Sequence, residues 1–227
     1  MNASRADDED KSVLVGEGSS KRLDEYLAAG WIHVGNQFKW KPLYRSKSEP
    51  FRNAPVRIRL KKFSLSKHQR RVLKKNLDVQ VSIGPLKVTQ EDETLFHRHK
   101  SRFRVTPPKS IWDIIPESSL TGIKKVSVTK AGRLIAVSYL DVGTTSTYSM
   151  YGMFEPSIAW RSLGILTILR EIQFSIAQGK EFYYLGYVYD QPSYYDYKKR
   201  FHGLEVYDWN GNWWMSPRLR NVNTQDK

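Results

Sequence analysis

The alternation of apolar and polar residues predicts strands in several parts of the chain. Residues 56–60 alternate apolar and basic side chains, which is the period of a strand with one face in solvent. Residues 126–129, 134–142 and 147–154 are runs separated by short turns that contain glycine, and together they predict an antiparallel meander. The run 182–189 is rich in aromatic and β-branched residues, so it predicts one further, buried strand.

Helical periodicity marks four other segments. They are 23–29, 67–78, 90–102 and 161–178. The first ends at Gly30 and the last at Gly179, a residue type that favours helix C-termini. The second opens with Ser66 and Gln69, which have the spacing of a capping box. We expect inward-facing apolar stripes on two of these helices. The stripe residues are Leu73 and Leu77 on the second helix, and Leu166, Leu169, Ile172 and Ile176 on the fourth.

The segments between these elements set the domain organisation. Residues 31–40 predict two strands around a turn, and residues 41–55, with three prolines, predict a loop. Residues 1–20 are polar and charged, so we expect a disordered tail there. With a boundary at Pro107-Pro108, we predict a basic N-terminal subdomain and a second domain. Their ranges are 21–106 and 107–220.

Charge is unevenly distributed along the 227 residues. The chain carries a formal net charge of +14, but residues 1–20 have a net charge of −3, so the remainder carries +17. A field of this sign attracts nucleic acid or another polyanion. A membrane is not an expected partner, because the chain has no run of 18 apolar residues and its polar, acidic beginning is unlike a signal peptide. We therefore expect a soluble, cytoplasmic protein.

The absence of cysteine limits the chemistry. It excludes disulfides, thiolate metal sites, iron–sulfur clusters and a cysteine nucleophile. Of the five histidines, only His97 and His99 are close in sequence, and their spacing puts them on different faces of a helix. We expect no metal site.

The helix predicted after Ser66 carries an unbalanced basic face. Nine Lys and Arg residues and no acidic ones fall between Arg57 and Lys75. By helical spacing, four of them share one face. These are Lys67, Arg70, Arg71 and Lys74. A solvated basic face would explain the pattern, but like charges one turn apart repel, so we favour an anion-binding role.

Residues 182–214 combine aromatic rings with a basic cluster. Seven aromatic residues lie between Tyr183 and Tyr197, followed at once by Lys198-Lys199-Arg200. Most of these rings are expected in the core. The mixture from Tyr194 to Arg200 follows a proline and reads as a loop, where binding residues tend to lie.

Two resemblances give these elements a function. A meander, a glycine-bearing turn, a long helix and another strand resemble the core of GNAT-type acyltransferases. In that fold, a segment matching 161–166 (RSLGIL) holds the pyrophosphate of the acyl donor with its amides. Leu166 stands where the acetyl-CoA pattern has a small residue, which disfavours coenzyme A.

The chain as a whole, over roughly residues 23–214, resembles the aminoacyl-tRNA–protein transferases, which are the eukaryotic arginyltransferases and bacterial leucyltransferases. The matching motifs are 66–71 (SKHQRR), 154–156 (FEP), 162–164 (SLG), 169–172 (LREI), 184–187 (YLGY), 197–201 (YKKRF) and 204–205 (LE). The resemblance implies an α+β, GNAT-like fold with a mixed, mostly antiparallel sheet flanked by helices and a smaller N-terminal α/β subdomain.

The same resemblance implies transfer of Leu or Arg from aminoacyl-tRNA to the N-terminal amine of a protein or peptide whose first residue is acidic. Aminoacyl-tRNA is then a co-substrate, and no cofactor is expected. The chain departs from the family pattern in three places. It has no cysteines after Trp40-Lys41-Pro42, it has Glu155-Pro156 for Asp-Pro, and its motifs at 194–198 and His202-Gly203 are altered.

Roles for individual residues follow from the chemistry of such a transfer. The candidates for tRNA phosphate are Lys67, Lys74, Lys75, Arg161, Ser162 and Gly164. Tyr184, Tyr187 and Tyr197 are candidates for stacking a terminal adenine. Arg70, Arg71, Lys198 and Arg200 are candidates for the acceptor's carboxylate.

Glu155 is the predicted proton acceptor and Asp196 the fallback, while Glu171 is expected to be structural, beside Arg170 or solvent. Two other functions remain open at this point. One is a coenzyme A dependent GNAT acyltransferase, and the other is a non-catalytic module that binds RNA or degrons on the same scaffold.

Overall fold

The computed structural model describes residues 10–14, 20–44, 51–103, 108–116 and 122–215. Most of the predicted tail lies outside these ranges, as do Pro107 and the end of the chain after residue 215. Within the tail, strand β1 (Lys11–Leu14) is ordered against a later strand, so the prediction of disorder is wrong for those four residues.

A nine-stranded sheet forms the body of the protein. Its strands are β4 (Leu43–Tyr44), β5 (Phe51–Arg59), β6 (Gln80–Pro85), β7 (Lys124–Lys130), β8 (Arg133–Val142), β9 (Ser146–Phe154), β10 (Phe182–Tyr189), β11 (Leu204–Tyr207) and β12 (Trp213–Met215). The order is β12-β11-β5-β10-β9-β8-β7-β6, with β4 added to β5. Strands β9 and β10 are parallel, and the other described neighbours are antiparallel.

Helices cover both faces of this sheet. They are α1 (Ser20–Ala28), α2 (Lys67–Lys75), α3 (Gln90–Lys100) and α4 (Leu163–Ala177). Helices α2 and α4 pack on one face in the largest core cluster, where Val72, Leu166 and Leu169 meet β5, β8 and β10. Helix α3 packs on the other face through Leu95 and Phe96. The predicted α+β class, with a mixed, mostly antiparallel sheet flanked by helices, is confirmed.

A small N-terminal unit packs against the large sheet. Strands β2 (Ile32–Val34) and β3 (Gln37–Trp40) form the predicted hairpin, and β1 adds to it. Together with α1 it forms a third core cluster against Tyr148 and Tyr184 of the large sheet. A buried contact fixes this packing, because Nδ1 of His33 lies 2.7 Å from a carboxylate oxygen of Asp141 in β8. This unit spans residues 11–40, whereas the predicted N-terminal subdomain spans residues 21–106.

The boundary predicted at residue 106 does not separate the two sheets. Strands β5 and β6 precede it in sequence but lie in the large sheet, β5 between β10 and β11 and β6 at the edge. The loop prediction for 41–55 is wrong for residues 43–44 and 51–55, which belong to β4 and β5. Strand β6 was not predicted at all.

Helix boundaries and two stripe positions also differ from the predictions. Helix α2 ends at Lys75, because Asn76 leaves helical geometry as its C-cap, and Leu77 is exposed on the solvent side. Helix α4 begins at Leu163, because a 3-10 segment (Pro156–Arg161) precedes it. Ile176, near the C-terminal end of α4, is about half exposed rather than inward-facing.

Candidate active site

A gap opens in the large sheet where β9 and β10 part. The two strands pair only from Phe182 to Tyr184, opposite Ser146 to Tyr148. Beyond that point β9 continues beside β8 as far as Phe154, while β10 continues beside β5. Two parallel strands that each follow a different neighbour diverge, so the sheet is split over the second half of both strands.

Bulges in both strands lie at the point of divergence. Strand β10 has an irregularity between Tyr184 and Tyr187, at Gly186, whose φ of +76° favours glycine. Pro55 pairs with Tyr187, so the proline that lacks an N–H sits where the ladder is already interrupted. Strand β9 has its own irregularity just after Ser149. Bulges redirect side chains and end regular pairing, which is what a cleft between strands requires.

Lys198 lies across the bulge of β10. It belongs to a 3-10 turn (Asp196–Arg200), is buried, and donates a hydrogen bond of 3.1 Å from Nζ to the carbonyl oxygen of Tyr187. Nζ also lies 4.6 Å from the ring centroid of Tyr195 and 5.4 Å from that of Tyr187. The absence of a side chain at Gly186 leaves room for it, since a Cβ there would be 3.6 Å from Nζ.

The ammonium of Lys198 is not neutralised by any of the described residues. Among the described residues, no carboxylate lies within ion-pair distance of its Nζ. Burial lowers the pKa of Lys198 to about 7, because removal from water disfavours the charged form. A buried, unpaired lysine beside a cleft is a strong candidate for binding an anionic ligand.

Glu171 lies on the α4 side of the sheet, below the paired ends of β9 and β10. Its side chain is fully buried, and the Tyr183 hydroxyl donates a hydrogen bond to it. Burial raises the pKa of Glu171 to about 7, while Ser138, Tyr183 and Ser149 act in the opposite direction. The carboxylate therefore gains or loses a proton near neutral pH.

The burial of Glu171 and its raised pKa were not predicted from the sequence. The expectation that it lies beside Arg170 or solvent is wrong, because Arg170 instead donates to Gln173. Helical spacing could have indicated that Glu171 is buried. It follows Ile168 by three residues and precedes Ser175 by four, so the three side chains share one face, and both neighbours are buried.

The carboxylate of Glu155, the predicted proton acceptor, already accepts several hydrogen bonds. It caps the 3-10 segment that follows β9, and its oxygens accept hydrogen bonds from Arg98 at 2.8 Å, Arg133 at 3.4 Å and Ser157. Burial acts to raise its pKa, but Ser157 and Arg98 outweigh burial, and the pKa of Glu155 is lowered. A carboxylate held ionised by two arginines is a weaker base than a free carboxylate, which disfavours the predicted role of Glu155 as proton acceptor.

Asp196 is engaged in a similar way. Its carboxylate accepts hydrogen bonds from Ser193 and forms a 2.7 Å ion pair with Lys199. Burial acts to raise its pKa, but Lys199 and Ser193 outweigh it, and the pKa of Asp196 is lowered. These contacts stabilise the turn and leave Asp196 less basic than a free carboxylate.

Arg161 is not available to a phosphate. Its guanidinium is buried and forms a bidentate pair with Asp78, at 2.8 Å for each bond, and it also donates to Asn76. Ser162 next to it has the left-handed φ of 58° and makes no side-chain cap. Gly164 lets α4 approach β9, since a Cβ there would lie 3.4 Å from the Phe154 ring. Of these three, Ser162 and Gly164 stay candidates for tRNA.

The basic helix α2 presents its cations to solvent as predicted. The exposed side chains are Lys67, Arg70, Arg71, Lys74 and Lys75. Arg70 donates to the carbonyl oxygen of Leu65 at 2.6 Å, and Lys75 donates to that of Trp160 at 2.8 Å. Opposite the cations, Val72 packs into the core shared with α4.

The predicted stacking tyrosines divide between core and cleft. Tyr184 is buried, accepts a hydrogen bond from Arg57 and packs edge-on against Trp213, so it cannot stack a base. Tyr187 is half-buried beside Lys198, and Tyr197 is about one-third exposed. Arg200 is exposed at the end of the same turn. The structure thus brings together Tyr187, Tyr197 and Lys198, with Glu171 behind them.

Comparisons with known proteins agree with this architecture. The family described as Arginine-tRNA-protein transferase, C terminus, matches residues 89–208, more than half of the chain. The chain belongs to the arginine-tRNA–protein transferase family. The matched region contains α3, α4 and β7 to β11, and therefore both strands of the gap and Lys198.

Curated relatives of this family member carry a more specific name. An aspartate/glutamate leucyltransferase of Xanthomonas campestris pv. campestris is 32% identical over 171 residues, covering 69% of this chain and 68% of the relative. A protein of the same name from Shewanella putrefaciens is 28% identical over 207 residues, covering 88% and 86%.

Solved structures resemble the fold at low sequence identity. One is L-PGS from Bacillus licheniformis, with a TM-score of 0.46, 9% identity, and coverage of 63% of this chain and 50% of that one. Another is a GCN5-related N-acetyltransferase from Kribbella flavida, with a TM-score of 0.38, 13% identity, and coverage of 59% and 48%.

Two further observations concern ligands and surroundings. In the part of the chain that the structure describes, His, Asp and Glu side chains form no cluster of three suited to a metal ion. None of the described helices combines the length and the apolar character needed to span a membrane.

Proposed function

We propose that this protein transfers an amino acid, leucine in the first instance, from aminoacyl-tRNA to the N-terminal amine of a protein or peptide whose first residue is acidic. Family membership and the name of the relatives support the reaction class and the choice of leucine over arginine. Because the reaction consumes charged tRNA, the cytoplasm is the compartment that we propose.

The observation that carries this proposal is the buried, unpaired ammonium of Lys198 at the gap between β9 and β10. Burying a charge without a partner is costly. The side-chain carboxylate of an N-terminal Asp or Glu supplies the missing partner when the acceptor binds. Binding then restores the protonated form of Lys198, so acceptor selectivity and the charge of this lysine are linked.

The chemistry requires no covalent enzyme intermediate. The ester between the amino acid and the tRNA ribose is already activated, so the acceptor amine attacks its carbonyl carbon directly. A C–N bond forms, the ester C–O bond breaks, and the ribose oxygen leaves as a hydroxyl after it gains a proton. The amine loses one proton in the same process, which calls for a group that titrates near neutral pH.

Glu171 meets that requirement as a positioning residue. Its pKa of about 7 matches the operating range, but its carboxylate is fully buried, so it acts through the Tyr183 hydroxyl that is hydrogen-bonded to it. That hydroxyl comes from β10, one of the two strands that border the gap. In this proposal, Glu155 and Asp196 keep structural roles.

The remaining candidates contact the tRNA. The exposed cations of α2 bind its phosphates, and with them we place Arg70 and Arg71, which lie on the same solvent-facing surface. Tyr187 and Tyr197 border the gap and stack the terminal adenine. Arg200, at the end of the Lys198 turn, is exposed and serves as a second cation for an acidic acceptor.

A transfer assay with the full-length protein tests the proposal. Radiolabelled leucyl-tRNA and arginyl-tRNA are offered with peptides that differ only in a first residue of Asp, Glu, Asn or Ala. We expect leucine on the Asp and Glu peptides and none on an N-acetylated Asp peptide. Failure of both charged tRNAs with every acidic peptide would overturn the proposal. Equal labelling of the Asp and Asn peptides would overturn the role of Lys198.

A further inference from the structure

Trp160 is a large aromatic side chain that the fold leaves in solvent. It lies in the 3-10 segment between β9 and α4, and 62% of its surface is exposed. This segment follows the end of β9, which is also the wide end of the gap between β9 and β10. The segment that carries Trp160 thus continues from one of the two strands that border the gap.

The backbone that carries Trp160 is held on both sides. Lys75 donates a hydrogen bond of 2.8 Å to the carbonyl oxygen of Trp160 itself. The next residue, Arg161, is locked by its bidentate pair with Asp78, and its own carbonyl oxygen accepts a bond of 2.9 Å from Asn76. The ring is therefore exposed but presented by a rigid support, which lowers the entropy lost on binding.

Cations surround this ring. Nζ of Lys75 lies 5.8 Å from the ring centroid and Cζ of Arg161 lies 5.0 Å from it. The carboxylate of Asp78 is shared between Arg161 and Lys130. Glu155, which caps the 3-10 segment that contains Trp160, is likewise shared between two arginines. Each of these two carboxylates contacts two cationic side chains, so the surface around Trp160 keeps an excess of positive charge.

Helix α2 extends this positive surface. Its exposed cations continue from Lys75 along the helix and have no acidic residue among them. A row of cations beside a solvent-exposed aromatic ring is the arrangement that binds single-stranded nucleic acid, with phosphates on the cations and a base on the ring. An acidic protein segment would satisfy the cations but would leave the ring unused.

We propose that Trp160 is a stacking platform for one unpaired nucleotide of the single-stranded 3′ end of tRNA, whose phosphates lie on the cations of α2. The platform orients the 3′ end so that the aminoacyl ester reaches the gap. This inference rests on the proposed function, because it takes tRNA as the nucleic acid.

Binding of uncharged tRNA to the full-length protein tests the platform without any transfer reaction. The probes are fluorescently labelled leucine tRNA with an intact 3′ end and the same tRNA lacking its unpaired 3′ nucleotides. We expect Trp160→Ala to weaken binding of the intact tRNA between about 5-fold and about 150-fold, the range of one base–aromatic stack. Binding of the truncated tRNA should change less than 2-fold, and Trp160→Phe should retain most of the affinity.

Two controls separate stacking from other causes. Trp214→Ala removes a tryptophan of similar exposure, 61%, on β12, and should leave affinity unchanged. Lys74→Ala removes a cation and should reduce the slope of log affinity against log salt by about 1, whereas Trp160→Ala should leave that slope unaltered. Circular dichroism melting of each variant shows whether it is folded.

The outcomes distinguish this inference from the proposed function. The platform is overturned if Trp160→Ala binds intact tRNA as the wild type does, or if it loses intact and truncated tRNA equally. A protein that transfers no amino acid but shows the expected tRNA dependence on Trp160 would refute the proposed function and leave the platform standing.

Discussion

Nζ of Lys198 lies 3.1 Å from the carbonyl oxygen of Tyr187, at the bulge that β10 forms against β5. This single hydrogen bond joins the turn after β10 to the strand itself. It holds a cation at the edge of the gap without neutralising it, because a carbonyl is a neutral acceptor. The ammonium can therefore bind an incoming carboxylate without first breaking an ion pair, and this property leads to the first two predictions.

Lys198→Met should remove acceptor selectivity. We expect kcat/KM for a peptide beginning with Asp to fall about 10-fold to 100-fold, as for loss of a charge-assisted hydrogen bond, while kcat/KM for the matching Asn peptide stays within about 2-fold. Steady-state kinetics with the two peptides checks this. Lys199→Met is the matched control, because Lys199 is paired with Asp196. An equal loss on both peptides would contradict a role in recognising the acidic residue.

The preference for acidic acceptors should depend on pH. The pKa of Lys198 is lowered to about 7, so the free protein loses this positive charge as pH rises above 7. We expect the ratio of kcat/KM for Asp and Asn peptides to decline between pH 7 and 9, by up to about 10-fold per pH unit. Ionisation of the acceptor amine affects the rates with both peptides in the same way, so its effect cancels in the ratio. A ratio that is constant from pH 6 to 9 would contradict the assignment.

Glu171→Gln should alter both stability and the pH profile of turnover. The folded protein holds the Glu171 proton up to about pH 7, whereas the unfolded chain releases it near the ordinary value of 4.5. Stability of the wild type therefore falls as pH rises from about 4.5 to 7, and the variant should lack this contribution. At pH 8 the variant should be more stable by up to about 3 kcal/mol.

Urea unfolding at pH 5 and pH 8 measures the stability of wild type and Glu171→Gln. The kinetic readout is kcat, whose limb near pH 7 should disappear in the variant. Because Gln keeps the volume and one hydrogen-bond acceptor, packing is nearly preserved. If kcat and its pH profile match the wild type, Glu171 contributes only to folding.

Glu155→Gln should act on stability rather than chemistry. The carboxylate caps the 3-10 segment before α4 and is bound by Arg98, Arg133 and Ser157. We expect a loss of about 1 kcal/mol of folding free energy, as for a weakened cap, with an unchanged shape of the pH–rate profile. Thermal melting and kcat between pH 6 and 9 provide the measurements. A large loss of kcat without loss of stability would restore Glu155 as the proton acceptor.

Local patterns in the sequence were sufficient for most of the fold. The meander β7–β9, helix α3 and the capping box at Ser66 depend on neighbours in sequence, and each is present where predicted. Strand β6 gives a weak pattern, because Gly84 and Pro85 occupy two of its six positions. Pro55 led to a predicted loop, yet a proline is tolerated there because β10 bulges opposite it.

Residue types in the site were easier to predict than their burial. Lys198 was selected from the sequence as a cation for the acceptor, but its burial depends on how the turn folds back on β10, which no local pattern encodes. For Arg161, the sequence also indicated a suitable residue type but could not show that its guanidinium is already paired. Its partner Asp78 is 83 positions away in the chain, so an arginine suited to phosphate binding is already paired.

The position of β5 in the sheet has a consequence for synthesis of the protein. Strand β5 pairs with β10 and β11, and the Arg57–Glu205 ion pair across it spans 148 positions of the chain. At a ribosomal rate of about 5–20 residues per second, β5 waits on the order of 10 s for β10 to be made. The meander is made before β10, so the gap acquires its second wall only after residue 189 has been translated. A nascent chain therefore cannot bind substrate at this site before β10 and the turn that carries Lys198 have both been made.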